Sequence, residues 1–268
     1  MKKHLTRILC ISLLVNFLLK GDALNALVPY YYLPTIKNLE KESLSIGRNA
    51  YQLLYFGQIK ESLNLAKLAV KINKLDEKLW LILSESQIAN NLYEEALISL
   101  KKAENINPNL SEIYFSKSNV FLKQLNLKDA KIALNSGLQI TPKNHQAIFQ
   151  LGNIFLMEKN YLSAIKFFDK AVKIKPEFWQ AINNKGLAYF EQDKINKSIK
   201  LFEKAISLEE NAEPLLGLAS CLRIQDINSA ILLAKKALIK NPNYVEYDYR
   251  KEQLWGEKLQ ISTEKLLK

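Results

Sequence analysis

Very few side chains in this 268-residue sequence could take part in catalysis. The histidines are His4 and His145, the cysteines are Cys10 and Cys221, and they form no cluster with the spacing of a metal site. Nucleophilic catalysis of the Ser-His or Cys-His kind needs a histidine beside the nucleophile, and these histidines do not provide such a pair. Phosphate-binding glycine loops and the G-x-S-x-G nucleophile motif are absent from the sequence. The sequence therefore predicts a protein that is not an enzyme, with no catalytic residues, no cofactor and no metal.

Small residues recur at a period of 34, and this spacing predicts the elements that must position any functional side chain. Two positions, the eighth and the twentieth, are small in five consecutive windows: Ala50 and Ser62, Ser84 and Ala96, Ser118 and Ala130, Gly152 and Ala164, Gly186 and Ser198. Apolar residues recur within each window at i, i+3, i+4 and i+7, which indicates two amphipathic helices. The small residues would let the two helices approach closely.

The window 145–178 shows the pattern most clearly. Its characteristic residues are Ile148, Leu151, Gly152, Phe155, Ala164, Phe168, Ala171 and Pro176. Four windows close on a proline, namely Pro108, Pro142, Pro176 and Pro242. These positions match the W-x2-L-G-x2-Y, A-x3-F and P pattern, with Ile148 in the Trp position and Phe155 in the Tyr position. Over residues 43–244 the chain resembles the tetratricopeptide repeat family.

This resemblance implies an all-α, right-handed α-solenoid of about six helix-turn-helix repeats. The repeats would occupy residues 43–76, 77–110, 111–144, 145–178, 179–210 and 211–244. Residues 245–268 would then form a C-terminal capping helix that closes the core, with Arg250, Lys251, Glu252, Glu257 and Lys258 facing water. The alternative is a docking helix that exposes Trp255. Cys221 is expected to be a small core residue.

In proteins of this family the first helix of each pair lines the concave face. Carried over position by position, the resemblance implies a peptide groove formed by Leu81, Glu85, Phe115, Asn119, Lys123, Phe149, Asn153, Gln180, Asn183 and Phe190, with Leu122, Leu156 and Leu187 beside them. The carboxamides would bond the backbone of an extended peptide, and the phenylalanines would supply apolar contact. The alternative is that some of these phenylalanines pack between successive helices. Some family members bind the carboxylate end of chaperone tails through a Lys/Asn/Arg clamp, and the corresponding positions here lack Arg.

The first 23 residues have the layout of a secretory signal peptide. Lys2, Lys3 and Arg7 precede a twelve-residue apolar stretch, and small residues stand before a cleavage point after Ala23. An uncleaved membrane anchor is the alternative, although a span needs about 20 residues. The expected location is outside the cytoplasmic membrane, in the periplasm or thylakoid lumen, or at the membrane through this segment. Residues 24–42, rich in Tyr and Pro, would form a lead-in to the first repeat.

The formal net charge of +11 raises the question of an anionic partner. Only four of the 38 basic residues are arginine, which is the preferred residue for contacts with bases and phosphates, so the composition argues against nucleic acid. The lysines of the predicted second helices are expected to lie on the outer face: Lys67, Lys71, Lys101, Lys102, Lys166, Lys170, Lys173, Lys200, Lys204, Lys235 and Lys236.

A leader followed by these repeats is also similar to exported repeat proteins of bacteria, cyanobacteria among them. The resulting hypothesis is a non-enzymatic scaffold that holds a peptide or helix of a partner protein in its concave groove. Such a scaffold could aid assembly of a membrane protein complex. The alternative hypothesis is a structural linker of cell-envelope or secretion machinery that uses the convex face and the C-terminal cap.

Overall fold

The computed structural model describes residues 35–268, and every regular element in this range is helical. The first helices of six successive pairs are α1 (Ile36–Tyr55), α3 (Glu77–Ala89), α5 (Ser111–Lys123), α7 (His145–Met157), α9 (Trp179–Glu191) and α11 (Ala212–Leu222). The second helices are α2 (Ile59–Ile72), α4 (Tyr93–Ile106), α6 (Leu127–Ile140), α8 (Tyr161–Ile174), α10 (Ile195–Leu208) and α12 (Ile227–Lys240). A short 3-10 helix (Pro242–Val245), α13 (Tyr247–Glu252) and α14 (Glu257–Leu267) complete the chain. The predicted all-α solenoid is therefore confirmed.

The first helix begins earlier than the sequence pattern indicates. α1 starts directly after Thr35, whose Oγ1 accepts a hydrogen bond from the backbone N–H of Asn38 at 3.2 Å. A threonine at this position satisfies one of the free amides at a helix start. Residues 36–42, which were expected in the lead-in 24–42, are consequently part of α1.

Two sequence predictions lie outside the described residues. They concern the leader, residues 1–23, and the remaining lead-in, residues 24–34, with its tyrosines and prolines. Within residues 35–268, no helix combines the length and the apolar character that crossing a membrane requires.

The small residues of the 34-residue period lie where the two helices of a pair cross. In the first repeat, Ser62 Oγ donates a hydrogen bond to the Ala50 carbonyl at 2.8 Å. In the fifth, Ser198 Oγ donates to the Gly186 carbonyl at the same distance. A larger side chain at either position would separate the two backbones. The predicted close approach of the paired helices is thus confirmed.

The turns between paired helices repeat a conformation that the sequence pattern does not reveal. In the first five pairs the fifteenth residue of the window has a positive φ, from 57° to 76°: Gly57, Asn91, Leu125, Lys159 and Asp193. The third turn is representative, because the Asn126 N–H donates to the Phe121 carbonyl at 2.8 Å and the Leu125 N–H to the Leu122 carbonyl at 3.0 Å. These bonds are those of a Schellman motif, which usually has glycine at this position. The helix pairing therefore overrides an unfavourable leucine conformation of about 1–2 kcal/mol.

The ring of Phe202 packs between two repeats against glycines of their first helices. The ring of Phe202, on α10, is fully buried between Gly186 on α9 and Gly217 on α11. A Cβ at Gly186 would lie 2.9 Å from the ring, and one at Gly217 would lie 2.7 Å from it. Only a residue without a Cβ lets the ring lie this close to both helices. Phe202 thereby joins the fifth repeat to the sixth.

The first helices line the inner curve of the array. Neighbouring first helices contact one another, as α1 does with α3, α3 with α5, α7 with α9, and α9 with α11. The second helices lie outside them, and the lysines expected on the outer face are all exposed: Lys67, Lys71, Lys101, Lys102, Lys166, Lys170, Lys173, Lys200, Lys204, Lys235 and Lys236.

The segment after α12, residues 241–268, is called the C-terminal cap below. Its helix α14 packs against α9 and α11, the first helices of the last two repeats. Trp255 is 4% exposed, so the alternative of a docking helix that exposes this residue is wrong. Cys221 is buried as expected. The prediction that Arg250 faces water is wrong, because its side chain is fully buried and joins the 3-10 helix to α14.

The α14 N-terminus is held by an acidic residue from another repeat. Glu191, the last residue of α9, accepts hydrogen bonds from the backbone N–H groups of Lys258 at 3.3 Å and Leu259 at 3.0 Å. A carboxylate at this position both satisfies free amides and interacts favourably with the helix dipole. Further along, Ser262 Oγ donates to the Ser220 carbonyl at 2.9 Å. The cap therefore follows the inner face over two repeats.

Candidate binding groove

The first helices of the N-terminal repeats form a concave surface with an apolar floor and acidic walls. A cavity of about 300 Å³, the N-terminal pocket, lies between α1, α3 and α5. It is lined by Tyr51, Leu81, Ile82, Glu85, Glu112, Phe115 and Ser116. Ser116 Oγ donates a hydrogen bond to the Glu85 carboxylate, which holds this acid against the wall.

A second cavity lies where the C-terminal cap meets the inner face. This C-terminal pocket has a volume of about 430 Å³. It is lined by Phe149, Asn153, Trp179, Gln180, Asn184, Asn211, Glu213, Asn241, Tyr244, Tyr249, Glu252, Gln253 and Leu254. Carboxamides can donate to a peptide carbonyl and accept from a peptide N–H, so this lining suits a peptide backbone.

Six of the ten predicted groove residues line these two pockets. Leu81, Glu85 and Phe115 line the N-terminal pocket. Phe149, Asn153 and Gln180 line the C-terminal pocket. Asn119, half-buried, and Lys123, exposed, lie on α5 and line neither pocket.

Two predicted groove residues are buried instead, and this corrects the sequence interpretation. Asn183 is fully buried and Phe190 is 7% exposed, because both lie on α9, against which α14 packs. Asn183 Nδ2 donates a hydrogen bond to Asn184 Oδ1 at 3.1 Å. Leu156 on α7 and Leu187 on α9, named beside the groove, are also buried. These four side chains are not accessible to a ligand.

Hydrogen bonds between repeats orient the carboxamides of the C-terminal pocket. Asn184 Nδ2 donates to Asn153 Oδ1 at 2.8 Å, and this bond joins α9 to α7. Asn153 is half-buried, and its own Nδ2 makes no hydrogen bond in the described part of the chain. One donor of Asn153 therefore remains available to a ligand, in an orientation set by Asn184.

Glu213 is a pocket residue that the sequence pattern did not predict. It lies at the start of α11, lines the C-terminal pocket, and accepts a hydrogen bond from Trp255 Nε1 at 3.2 Å. Burial raises the pKa of Glu213 to about 7, although hydrogen bonds from Trp255, Asn183 and Tyr244 favour the charged form. Burial, with the nearby Glu213 charge, also raises the pKa of Tyr244. The cap thus covers a carboxyl group that titrates near neutral pH.

Replacing Glu213 by glutamine is expected to make the protein more stable at pH 8. Because the folded pKa of Glu213 lies above its unfolded value, the acid form stabilises the fold at low pH. This stabilisation is lost as the pH rises through about 7. A pKa shift of this size lowers the free energy of unfolding by about 2 kcal/mol between pH 5 and pH 8. Denaturant unfolding at both pH values should show a gain for Glu213→Gln at pH 8 and little change at pH 5.

The matched control for this experiment is Glu203→Gln, which removes an exposed charge from α10. It should not alter the difference in unfolding free energy between pH 5 and pH 8. An equal pH dependence in the wild type and in Glu213→Gln would contradict the assignment.

The cap residues of the C-terminal pocket were also missed. Asn241, Tyr249 and Gln253 line it, and Asn241 Nδ2 donates to the Tyr249 hydroxyl at 3.0 Å. These residues follow the last repeat, so the 34-residue period carries no information about where they lie. The only sequence signal was the Asn-Pro dipeptide that ends α12 and lets the chain change direction.

The family model for the tetratricopeptide repeat matches residues 145–178 and 180–211. Over these two segments the chain is similar to tetratricopeptide repeats. The other helix pairs share their period, so the same helical-repeat architecture extends along the array. The matching model does not represent a catalytic family. No curated protein matches the chain significantly in sequence.

Solved structures with the same architecture cover most of the chain. PilF of Pseudomonas aeruginosa has a TM-score of 0.68 at 14% identity, over 80% of this chain and 99% of that one. PilW, described as a type IV pilus biogenesis factor, has a TM-score of 0.67 at 16% identity, over 82% and 97% of the two chains. YrrB, described as a tetratricopeptide protein with an unusual peptide-binding site, has a TM-score of 0.51 at 18% identity, over 76% and 98%. At these identities the similarity shows the fold alone.

The described helical array carries no group of three or more His, Cys, Asp or Glu that could hold a metal ion. Burial raises the pKa of the Cys221 thiol to about 12, which makes it a poor nucleophile. The inner surface presents two pockets, both lined by aromatic side chains and the C-terminal one also by carboxamides.

Proposed function

We propose that the protein is a non-enzymatic scaffold whose inner groove binds an extended peptide segment of a partner protein. The observation that carries this proposal is the placement of the two pockets on successive first helices of one concave face. Half-buried aromatic rings, Phe115 and Phe149, supply apolar contact in the two pockets. Carboxamides with free donors supply backbone hydrogen bonds. The peptide-binding description of YrrB, which has the same architecture, agrees with this use of the fold.

The C-terminal cap favours an extended peptide over a helix as the ligand. Because α14 already lies on α9 and α11, the groove is filled at the last two repeats. The remaining surface narrows into the C-terminal pocket, whose volume of about 430 Å³ fits a few residues of extended chain better than a helix with a diameter of about 10 Å.

Alanine at Phe115, Asn119, Phe149 and Asn153 together should abolish most of the peptide binding. The change removes two aromatic contacts and two carboxamides, so we expect at least a tenfold loss of affinity, or about 1.4 kcal/mol. The measurement is binding to an immobilised array of random 15-residue peptides, followed by fluorescence anisotropy with the strongest binders. Circular dichroism of the variant must show an intact fold. The double variant Asn119→Ala and Gln180→Ala leaves the aromatic rings in place and should lose less affinity for the peptide.

A matched variant on the second helices tests the alternative at the same time. It carries alanine at Ile98, Asn105, Ile132 and Asn135, all exposed residues of α4 and α6, so it removes two apolar side chains and two carboxamides from the outer face. Unchanged binding by this variant supports the groove. If the outer variant loses binding and the inner variant keeps it, the groove proposal is wrong and the linker that uses the convex face is favoured.

One structural observation supports the second candidate function, a structural linker that uses the convex face. A cavity of about 460 Å³ opens between α4 and α6, with Leu97, Phe121 and Ile132 among its lining residues. Lys101 and Lys117 both form ion pairs with Glu104 at the edge of this cavity, at 2.7 Å and 2.9 Å.

Export and membrane attachment stay predictions, because they concern residues 1–23. Edman sequencing of the mature protein tests them: a start at Leu24 supports cleavage and a start at Met1 contradicts it.

A further inference from the structure

The charge of the array is divided between its two faces. The second helices carry sixteen lysines and seven acidic residues, whereas the first helices carry seven basic and seven acidic residues. The positive excess of the protein therefore lies on the outer helices. The inner helices carry no excess of positive charge. Individual charged residues on the inner face therefore decide which ligand side chains can bind there.

Two carboxylates line the N-terminal pocket without any basic residue beside them. Glu85 accepts a hydrogen bond from Ser116, and Glu112 accepts one from Ser111 Oγ at 3.1 Å. No Lys or Arg lies within ion-pair distance of either carboxylate in the described part of the chain. The other lining residues, among them Leu81 and Phe115, offer apolar surface to the aliphatic stem of a lysine or arginine.

The C-terminal pocket has the same character. Glu213 and Glu252 line it, no Lys, Arg or His does, and neither acid forms an ion pair among residues 35–268. Trp179, Tyr244 and Tyr249 add ring faces that attract cations.

We propose that the groove selects a basic extended segment, which places a lysine or arginine side chain in each of the two pockets. This inference rests on the proposed function, namely that the groove binds peptides, and adds the charge of the ligand. Each pocket combines two carboxylates that have no ion-pair partner among residues 35–268 with apolar or aromatic walls, and a cation on an aliphatic stem complements both parts. An acidic segment would bring like charges together and is rejected.

The test uses the random 15-residue peptide array with the wild type and with the charge-neutral variant Glu85→Gln, Glu112→Gln, Glu213→Gln and Glu252→Gln. Glutamine keeps the size of each side chain and removes its charge. The wild type should enrich Lys and Arg among bound peptides, and the variant should lose this enrichment. For a wild-type binder measured by anisotropy, each pocket's double change should lower affinity about fivefold, which is the effect of roughly 1 kcal/mol.

The matched control removes two acids from an outer helix, Glu94→Gln and Glu95→Gln on α4, and should retain the enrichment. Bound peptides enriched in Asp and Glu, or an enrichment in Lys and Arg that survives the charge-neutral variant, would overturn the inference while leaving the peptide groove intact. The absence of any peptide binding above background would instead overturn the proposed function, and the inference with it.

Discussion

Replacing Phe202 by alanine is expected to lower the free energy of unfolding by about 3–5 kcal/mol, which is the usual cost of removing a fully buried aromatic ring. The ring is completely buried on α10 and lies between Gly186 and Gly217, so its loss opens a cavity between two repeats. The two glycines have no side chains that could fill this space. Urea unfolding followed by circular dichroism measures the change.

The consequences of this change should be largest at the junction of the fifth and sixth repeats. Because each repeat contacts only its neighbours, a defect at one junction weakens the cooperative unfolding of the array. Phe202→Leu retains more of the volume and should cost less than the alanine variant. The control is Phe56→Ala, which removes a ring that is 73% exposed and should change stability by less than about 0.5 kcal/mol. Equal effects of Phe56→Ala and Phe202→Ala would show that Phe202 does not fill this junction.

Replacing Arg250 by methionine is expected to cost about 3–5 kcal/mol, as the removal of one partner from a buried charged network does. The guanidinium is fully buried and donates to Gln260 Oε1, to the Tyr244 carbonyl and to the Val245 carbonyl, each at 2.7 Å. It also pairs with Glu264 of α14. Methionine fills similar space but leaves these acceptors without a donor. Because all four partners lie within the cap, the cap should lose its own folded structure before the repeats unfold.

Tryptophan fluorescence can follow the cap separately from the array. In a background with Trp80→Phe and Trp179→Phe, the signal reports Trp255, which is 4% exposed in the folded cap. Arg250→Met should shift this emission to longer wavelength at a denaturant concentration that leaves the helical signal intact. Lys251→Met, at an exposed neighbouring position, is the control and should behave as the wild type. Coincident loss of both signals in Arg250→Met would contradict an independently weakened cap.

The cap also decides the shape of the candidate site. Its residues supply one wall of the C-terminal pocket, through Tyr244, Tyr249 and Glu252. Loss of the cap would therefore open this pocket and expose Glu213, whose pKa should fall toward the ordinary value of a carboxyl group in water. The stability of the cap, the ionisation of Glu213 and the binding of a ligand in the C-terminal pocket should therefore depend on one another.

The pattern of the sequence was sufficient for the repeating part of the site. The small residues at the eighth and twentieth positions, such as Gly186 and Ser198, predicted where the helices cross, and the crossing is confirmed by their hydrogen bond. The same register predicted that Phe115 and Phe149 lie on the inner helices, and both line pockets there. These features depend on residues within one window or on adjacent windows, so a periodic signal contains them.

The pattern failed wherever the chain stops repeating. It placed Asn183 and Phe190 in the groove, and it placed Arg250 in water. The tertiary structure buries all three, since α14 packs on α9 and the 3-10 helix surrounds the guanidinium. The period also gives no sign that Trp255, distant in sequence, donates a hydrogen bond to Glu213 at the start of α11.

The sequence by itself thus determined the all-α solenoid and the pairing of its helices. It could do so because stacking of similar units needs only local, periodic contacts. Only the tertiary structure decided which inner residues stay accessible and where two carboxylates meet in each pocket. These properties come from contacts between the C-terminal cap and helices far upstream, as between Glu191 and Leu259, and from neighbouring first helices whose acids meet across the groove. Such contacts follow from the packing of particular side chains, which the period does not encode.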